Sequence, residues 1–371
     1  MKEYDLIVVG AGFSGLACAE LSAKNNLNTL VLERKYDIAK NIHTTGILVK
    51  EIADEWNLPA RLIKRINGIR LYSSTLDWVD LYSPGYYFLA TDLPDLMRWQ
   101  MEHAIAAGVK ISLETPYKTS NYVNSRHVFE YEKIQCRYLV GCDGAHSRVA
   151  RQYDLGGNRN FLIGIEAEYK THDDIDQDKL HVFLDTGLAR GYIAWIVPGL
   201  DCTQVGLATR FPAAPRLQEF IRKISPLFNL DRMQPFSHRA GVIPCGGIVK
   251  KFYSENIMLL GDAAGMVSPL TGGGIYPAVH TGRIAGEAIA DYLNNDAPDP
   301  GFIVCKSLPG FYFKKVLRHL SDNIPIPHTL YNYLFHTPLF RSLAQTIFFH
   351  HRGLFSKAAW RDFARILIPH P

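Results

Sequence analysis

Residues 4–33 read YDLIVVGAGFSGLACAELSAKNNLNTLVLE, and they settle the class of fold. Leu6-Ile7-Val8-Val9 is a short apolar run of strand formers. Gly10-Ala11-Gly12-Phe13-Ser14-Gly15 is a GxGxxG turn. Residues 16–24 carry the apolar spacing of a helix. Residues 29–32 return to strand, with Glu33 at the end. Each part has a mechanical reason. Gly10 permits a sharp turn, Gly12 lets backbone approach a pyrophosphate, and Gly15 lets helix and strand pack closely. The helix N-terminus attracts phosphate charge, and Glu33 suits ribose hydroxyls. The alternative is a glycine-rich turn in an ordinary α/β fold. It does not account for strand, helix and acid all standing at the required distances.

Two further stretches fit the same ligand. Residues 261–275, GDAAGMVSPLTGGGI, follow the apolar run 256–260 and precede a small-residue helix starting near Tyr276. Asp262 can accept hydrogen bonds from hydroxyls, and bare N–H groups at Gly273, Gly274 and Ile275 can face anionic oxygens. Between the two lies RYLVGCDGAHSR, residues 137–148, a third strand running into Asp143-Gly144 and ending on Arg148.

In this order the three motifs resemble those of glutathione-reductase-like flavoproteins on the aromatic-hydroxylase branch. That branch has GxGxxG first, Cys-Asp-Gly-x-x-Ser next and Gly-Asp-Ala-Ala last. Within it, Pro269-Leu270-Thr271-Gly272-Gly273-Gly274-Ile275 is similar to the geranylgeranyl reductase family. So is the segment from Tyr192 through Trp195 to Pro198, followed by Gly206. One extra residue separates Tyr192 from Trp195, Val197 stands where Phe is usual, Thr45-Gly46 stands where relatives often carry Cys-Gly, and Leu93 replaces a frequent Arg.

The resemblance implies an α/β fold: a Rossmann-like FAD-binding domain, an inserted mostly β substrate domain and a C-terminal helical region. It implies FAD contacts from Gly10, Gly12, Phe13, Ser14, Gly15, Glu33, Asp143, Asp262, Gly273, Gly274 and Ile275, with Thr45 and Gly46 beside the isoalloxazine ring. Arg34 and Arg98 are either FAD contacts or surface arginines. Tyr192, Trp195 and Pro198 either wall an apolar substrate or belong to sheet core. Tyr192, Tyr276 or a bound water would supply the proton. The implied activity is reduction of isolated C=C bonds in a prenyl substrate. Its rivals are an aromatic hydroxylase using NAD(P)H and dioxygen, and a flavin-binding protein without turnover. The Trp-x-Trp-x-Ile-Pro segment of flavin halogenases is only half present around Trp195. No second nicotinamide-type motif is visible, so NAD(P)H bound transiently or a ferredoxin-like protein would donate electrons.

The 371 residues predict two interleaved domains, and 47% apolar content supports a large core. The FAD-binding pieces are expected at 1–70, 95–155 and 250–295, the substrate domain at 71–94 and 156–249, and helices at 296–371. No apolar run reaches the roughly 18 residues of a membrane span, and the N-terminus leads straight into GxGxxG rather than a signal peptide. Six scattered cysteines without CxxC read as reduced cytosolic thiols, with no metal site.

The net charge is +4. Residues 301–371 carry nine basic and two acidic side chains, which is +7 and leaves −3 for the remainder. Aromatic residues are interleaved there. That mixture suits peripheral contact with an anionic bilayer, or a helical cap with solvated charges; no nucleic-acid motif accompanies it.

Overall fold

The computed structural model describes residues 1–308, 310–323 and 335–349. The chain divides into two compact units. The first comprises 1–42, 93–161 and 243–309, the second 43–92, 162–242 and 310–371.

At the centre of the first unit is β1 (Lys2–Val9), with Leu6, Ile7 and Val8 fully buried. It pairs in parallel with β2 (Thr29–Leu32) and β11 (Ile134–Gly141). Strand β2 continues to β8 (Lys110–Ser112), and β11 to β18 (Ile257–Leu259), both parallel. These near-continuous apolar runs are what strands covered on both faces require. Antiparallel β17 (Tyr253–Ser254) closes one edge, and a hairpin of β9 (Asn121–Val123) and β10 (Arg126–Phe129) extends from β11. Because the main strands are parallel, Gly10, Glu33, Asp143 and Gly261 all follow strand ends on one edge of the sheet.

Helices α1 (Phe13–Lys24), α3 (Leu93–Ala106), α4 (Arg148–Gln152), α6 (Ile275–Asn295) and α7 (Pro300–Ser307) complete the unit. A Cβ on Gly282 would lie 2.6 Å from the Ser14 carbonyl oxygen, and one on Gly286 2.5 Å from that of Cys18. Helices α1 and α6 therefore touch backbone to backbone. Ser14 meets Gly282 and Cys18 meets Gly286, so the two helices run parallel. Their N-termini, with their partial positive charges, lie at the same end.

The second unit is built on a seven-stranded sheet in the order β16 (Ser237–Pro244), β12 (Phe161–Lys170), β15 (Cys202–Arg210), β14 (Ala194–Pro198), β13 (Lys179–Phe183), β5 (Gly68–Tyr72), β6 (Trp78–Tyr82). A small antiparallel sheet joins β3 (Ile47–Val49), β7 (Phe88–Thr91) and β4 (Ile63–Ile66). Alternation of side chains gives the large sheet two cores. One face packs α5 (Leu217–Phe228) through Phe220, Ile221, Ile224 and Phe228. The other packs α9 (Pro338–Phe349) and Phe335 over Leu71, Val182 and Val197. Helices α2 (Lys50–Glu55) and α8 (Tyr312–Asn323) also belong to this unit.

The boundaries differ from the sequence-based expectation. The chain leaves the first unit after residue 42, not near 70, because residues 47–66 are already committed to pairing with β7. The tail is not a separate region. Residues 300–307 bury Val304 in the first core, and 335–349 bury Phe335 and Phe349 in the second. Phe311, Lys314 and Arg318 are buried as well. Along the described part of the tail these groups act as a cap and are not available to a bilayer. The readings placed on Tyr331, Tyr333, Arg352, Phe355, Lys357, Trp360, Arg361 and Arg365 lie outside the described residues. Among the described residues no helix is long and apolar enough to cross a membrane.

Candidate functional site

The strand-end edge of the first unit is formed by three loops and two helix N-termini. Gly10 has φ +105°, and a Cβ there would lie 2.4 Å from the Cys142 carbonyl oxygen. A Cβ on Gly15 would lie 2.0 Å from the Gly10 carbonyl oxygen. Both glycines thus lock the turn against its neighbours. Gly12 differs: nothing lies within 4 Å of a Cβ placed there. Its open side is the space that close backbone approach to a ligand needs. At the end of β2, Glu33 Oε2 accepts the Ala11 N–H at 2.8 Å and Oε1 that of Lys35 at 2.9 Å. The carboxylate braces the turn and keeps acceptor capacity for hydroxyls. Phe13 accepts from Gln100 Nε2 at 3.0 Å through its carbonyl, and the Ser14 hydroxyl lies against Gly261.

Asp143 Oδ2 accepts the N–H groups of Arg148 at 2.6 Å and Val149 at 3.2 Å, which starts α4. Asn158, which sequence reasoning passed over, ties two loops together. Its Nδ2 donates to the carbonyls of Ala145 at 3.1 Å and Asp262 at 2.8 Å. Three acceptors, Gln100 Oε1, Asp143 Oδ1 and Asn158 Oδ1, are buried without a hydrogen-bond partner. Buried polar atoms are rarely left so, and a ligand with hydroxyl and N–H donors would satisfy them. Asp262 is half-buried, and desolvation raises its carboxyl to about 6. Gly274 precedes α6, and its Cβ position is 3.6 Å from Asp262 Oδ1. Ser268 holds the glycine loop, donating its N–H to the Gly273 carbonyl at 3.0 Å and accepting from Thr271 Oγ1 at 2.9 Å. Ile275 opens α6, and Tyr276 stacks on His280 with ring centroids 5.5 Å apart. Cys142 is held protonated by burial, as a packing residue would be.

The two arginines lie on the surface of this unit. Arg34 is exposed. The side chain of Arg98 is 43% exposed and engages Asp95 at 2.8 Å and Asp37 at 3.3 Å.

The second unit brings together Thr45 and Trp195 through a residue that sequence reasoning did not single out. Glu166 on β12 is opposite Gly206 on β15, which is opposite Trp195 on β14. The indole lies over Gly206, where a Cβ would be 2.6 Å from the ring. Its Nε1–H reaches Glu166 Oε2 at 2.7 Å, and the Thr45 hydroxyl donates to the same oxygen at 2.8 Å. Gly46 has φ +80° and accepts from Thr91 Oγ1 at 2.7 Å. Tyr192 stands in the turn before β14, its N–H on the Ala189 carbonyl at 2.9 Å. Trp195, with Ile193 and with Phe340 and Phe348 of α9, packs against the core on that face of the sheet.

Comparison with known proteins points to the same cofactor. Residues 80–302 match the FAD binding domain family, and residues 8–65 the NAD(P)-binding Rossmann-like domain family. The chain is 29% identical over 299 residues to a digeranylgeranylglycerophospholipid reductase of Methanocaldococcus jannaschii, covering 76% of each. A second protein of that name, from Methanopyrus kandleri, is 29% identical over 331 residues, covering 81% of this chain and 80% of the relative. Among solved structures, a geranylgeranyl bacteriochlorophyll reductase-like protein of Thermoplasma acidophilum superposes with a TM-score of 0.82 at 18% identity. That likeness covers 99% of this chain and 100% of the other, and it is a likeness of fold. With a matching family over more than half its length, the chain belongs to the FAD binding domain family and is an FAD-dependent oxidoreductase.

Proposed function

We propose that this protein reduces C=C bonds of a prenyl-lipid substrate. One observation carries the reading: 29% identity to proteins named digeranylgeranylglycerophospholipid reductase runs over at least three-quarters of both chains. A likeness of that length is not confined to either unit.

Gly10, Gly12, Phe13, Ser14, Gly15 and Glu33 hold the adenosine and pyrophosphate portion of FAD. Asp143, Asp262, Gly273, Gly274 and Ile275 hold the ribityl chain and the flavin edge. Bound FAD supplies hydride chemistry once it has been reduced. The N-terminus of α6 favours negative charge at the flavin edge. Thr45 and Gly46 flank the ring, and Tyr192, Trp195 and Pro198 receive the prenyl chain. Each buried methylene gains about 0.8 kcal/mol. Tyr192 and Tyr276 remain candidate donors of the proton that the second alkene carbon requires. NAD(P)H or a ferredoxin-like protein supplies the electrons. The six free thiols fit a reducing compartment, and exposed Lys315, Val316 and Leu339 are among the described tail groups offered to an anionic bilayer.

Dithionite-reduced protein mixed anaerobically with liposomes containing an unsaturated prenyl phospholipid tests this. Expected are co-sedimentation at low salt and a lipid product heavier by two hydrogens per bond reduced. An oxygenated product formed only when dioxygen and NAD(P)H are present would replace the reading with a hydroxylase. A flavin that neither reduces nor reoxidises with any substrate would leave a binding protein.

A further inference from the structure

In the first unit one side chain joins two of the motif loops beyond the end of the sheet. Strands β11 and β18 are parallel neighbours, and their pairing continues as far as the Leu260 N–H on the Gly141 carbonyl at 3.0 Å. Residues 143–148 and 261–265 then leave the sheet. Asn158 bridges them there, with Nδ2 donating to the Ala145 carbonyl at 3.1 Å and to the Asp262 carbonyl at 2.8 Å. The Asp262 carbonyl also receives the Gly265 N–H at 3.1 Å, so the same oxygen closes the turn of its own loop. Both partners of the amide are carbonyl oxygens, which only accept. The nitrogen must therefore be the atom that faces them. Oδ1 is buried without a hydrogen-bond partner.

The segment that carries Asn158 is itself held. Leu155 is buried in the first core. The Gly156 N–H reaches the Lys251 carbonyl at 2.6 Å, and the Asn160 carbonyl accepts the Cys245 N–H at 2.9 Å. A Cβ on Gly156 would lie 2.9 Å from Val249 Cβ. Gly265 completes the fit. It has φ +68°, and a Cβ there would be 2.8 Å from Asn158 Oδ1 and 2.6 Å from the Gly247 carbonyl oxygen. Only glycine leaves room for the amide to enter. The two loops so joined carry Asp143 and Asp262, and Asp143 Oδ1 is a second buried acceptor without a partner. Their separation, set by one amide, decides whether a single ligand meets both.

We infer that Asn158 is a positioning residue for the flavin half of FAD: it fixes the spacing of the Asp143 and Asp262 loops. The inference rests on the assignment of those two carboxylates to the ribityl side of the cofactor. The adenosine diphosphate half is held by other means. Glu33 braces the turn at residues 10–15 through the Ala11 N–H at 2.8 Å, and Gly10 packs on the Cys142 carbonyl. The two bonds that Asn158 donates reach neither Glu33 nor that turn. Loss of the clamp therefore weakens the grip on FAD and spares the grip on ADP.

The test uses the full chain freed of flavin and the variant Asn158→Leu, which keeps the size of the side chain but cannot donate. FAD binding is followed by quenching of flavin fluorescence, and ADP binding by calorimetry. In the variant the Kd for FAD should rise about 10–100-fold, as two carbonyls lose a donor, while the Kd for ADP stays within about threefold of the parent. Should Asn158→Leu not fold, Asn158→Ala carries the test and must show the same split, because its smaller side chain lets water reach both carbonyls. An FAD Kd within about threefold of the parent overturns the inference. Equal weakening toward FAD and ADP also overturns it, since Asn158 would then merely support the fold. A parent that binds FAD no more tightly than ADP sinks the ribityl assignment itself, and the inference with it.

Discussion

The two units make their candidate sites from different materials. In the first, backbone does the work: glycines at 10, 12 and 15, two helix N-termini, and carboxylates anchored by N–H groups. In the second, side chains do it. Glu166, Glu168, Gln204, Trp195 and Arg239 come from four strands, and Thr45 comes from a loop. A backbone site tolerates almost no change at its glycines, because there is no side chain to move aside. A side-chain site is graded, since each member can be altered while the sheet persists. The contrast can be tested directly.

The largest effect is expected at Gly15. A Cβ placed 2.0 Å from a backbone oxygen has no room. Gly15→Ala should cost at least about 3 kcal/mol and yield little folded, colourless protein. Gly12→Ala is the informative partner. Gly12 has φ −79° and open space around its Cβ position, so the apoprotein should melt as the parent does while flavin retention is lost. Thermal unfolding of the flavin-free proteins, together with flavin absorbance, reads both. A Gly12→Ala protein as yellow as the parent would show that the open side of the turn faces no cofactor.

Gly206→Ala is next. The new Cβ would meet the Trp195 ring at 2.6 Å, and the indole must tilt away from Glu166. A cost of about 1–3 kcal/mol is expected, with lower prenyl-lipid turnover and normal flavin content. Adding Trp195→Phe should restore stability but not turnover. If the double variant is no more stable than Gly206→Ala alone, ring overlap is not the cause.

The same contrast explains what was legible. The turn at residues 10–15, Glu33, and the Gly261-Asp262 loop appear as patterns, because a demand on the backbone leaves glycine at fixed spacing. Thr45 and Trp195 were selected separately, by resemblance. The residue that joins them was not, because Gly164-Ile165-Glu166-Ala167-Glu168-Tyr169 alternates, and alternation puts Glu166 and Glu168 on the face opposite the core. Both carboxylates are nonetheless buried, among Thr45, Trp195, Gln204 and Arg239, which come from a loop and three other strands. No local pattern encodes such a cover. The tail left two readings open for the same reason. Phe335 and Phe349 interleave with basic residues as bilayer-seeking aromatics do, yet they fill the second unit.

The smallest predicted effect concerns Asp262 and separates its buried carboxyl from that of Glu166. Both are pushed upward by desolvation. Glu166 has two donors built in, whereas among the described residues none reaches the Asp262 carboxylate. Its ordinary value of 3.8 rises to about 6 in the folded apoprotein. The associated stability is present in full below about pH 4 and is lost as pH climbs through about 6, because ionising the group in place costs more than ionising it in the unfolded chain. With allowance for partial solvent exposure, the loss is on the order of 1 kcal/mol. Asp262→Asn should flatten that step in urea titrations run from pH 4 to 7. Hydroxyl donors on a ligand favour the charged form, so flavin affinity should strengthen over the same interval in the parent and stay level in Asp262→Asn. An apoprotein whose stability is unaffected by the substitution across this range would mean that water already solvates the carboxylate. The acid of the first unit would then not be waiting for a ligand's donors, and its difference from the self-sufficient Glu166 would disappear.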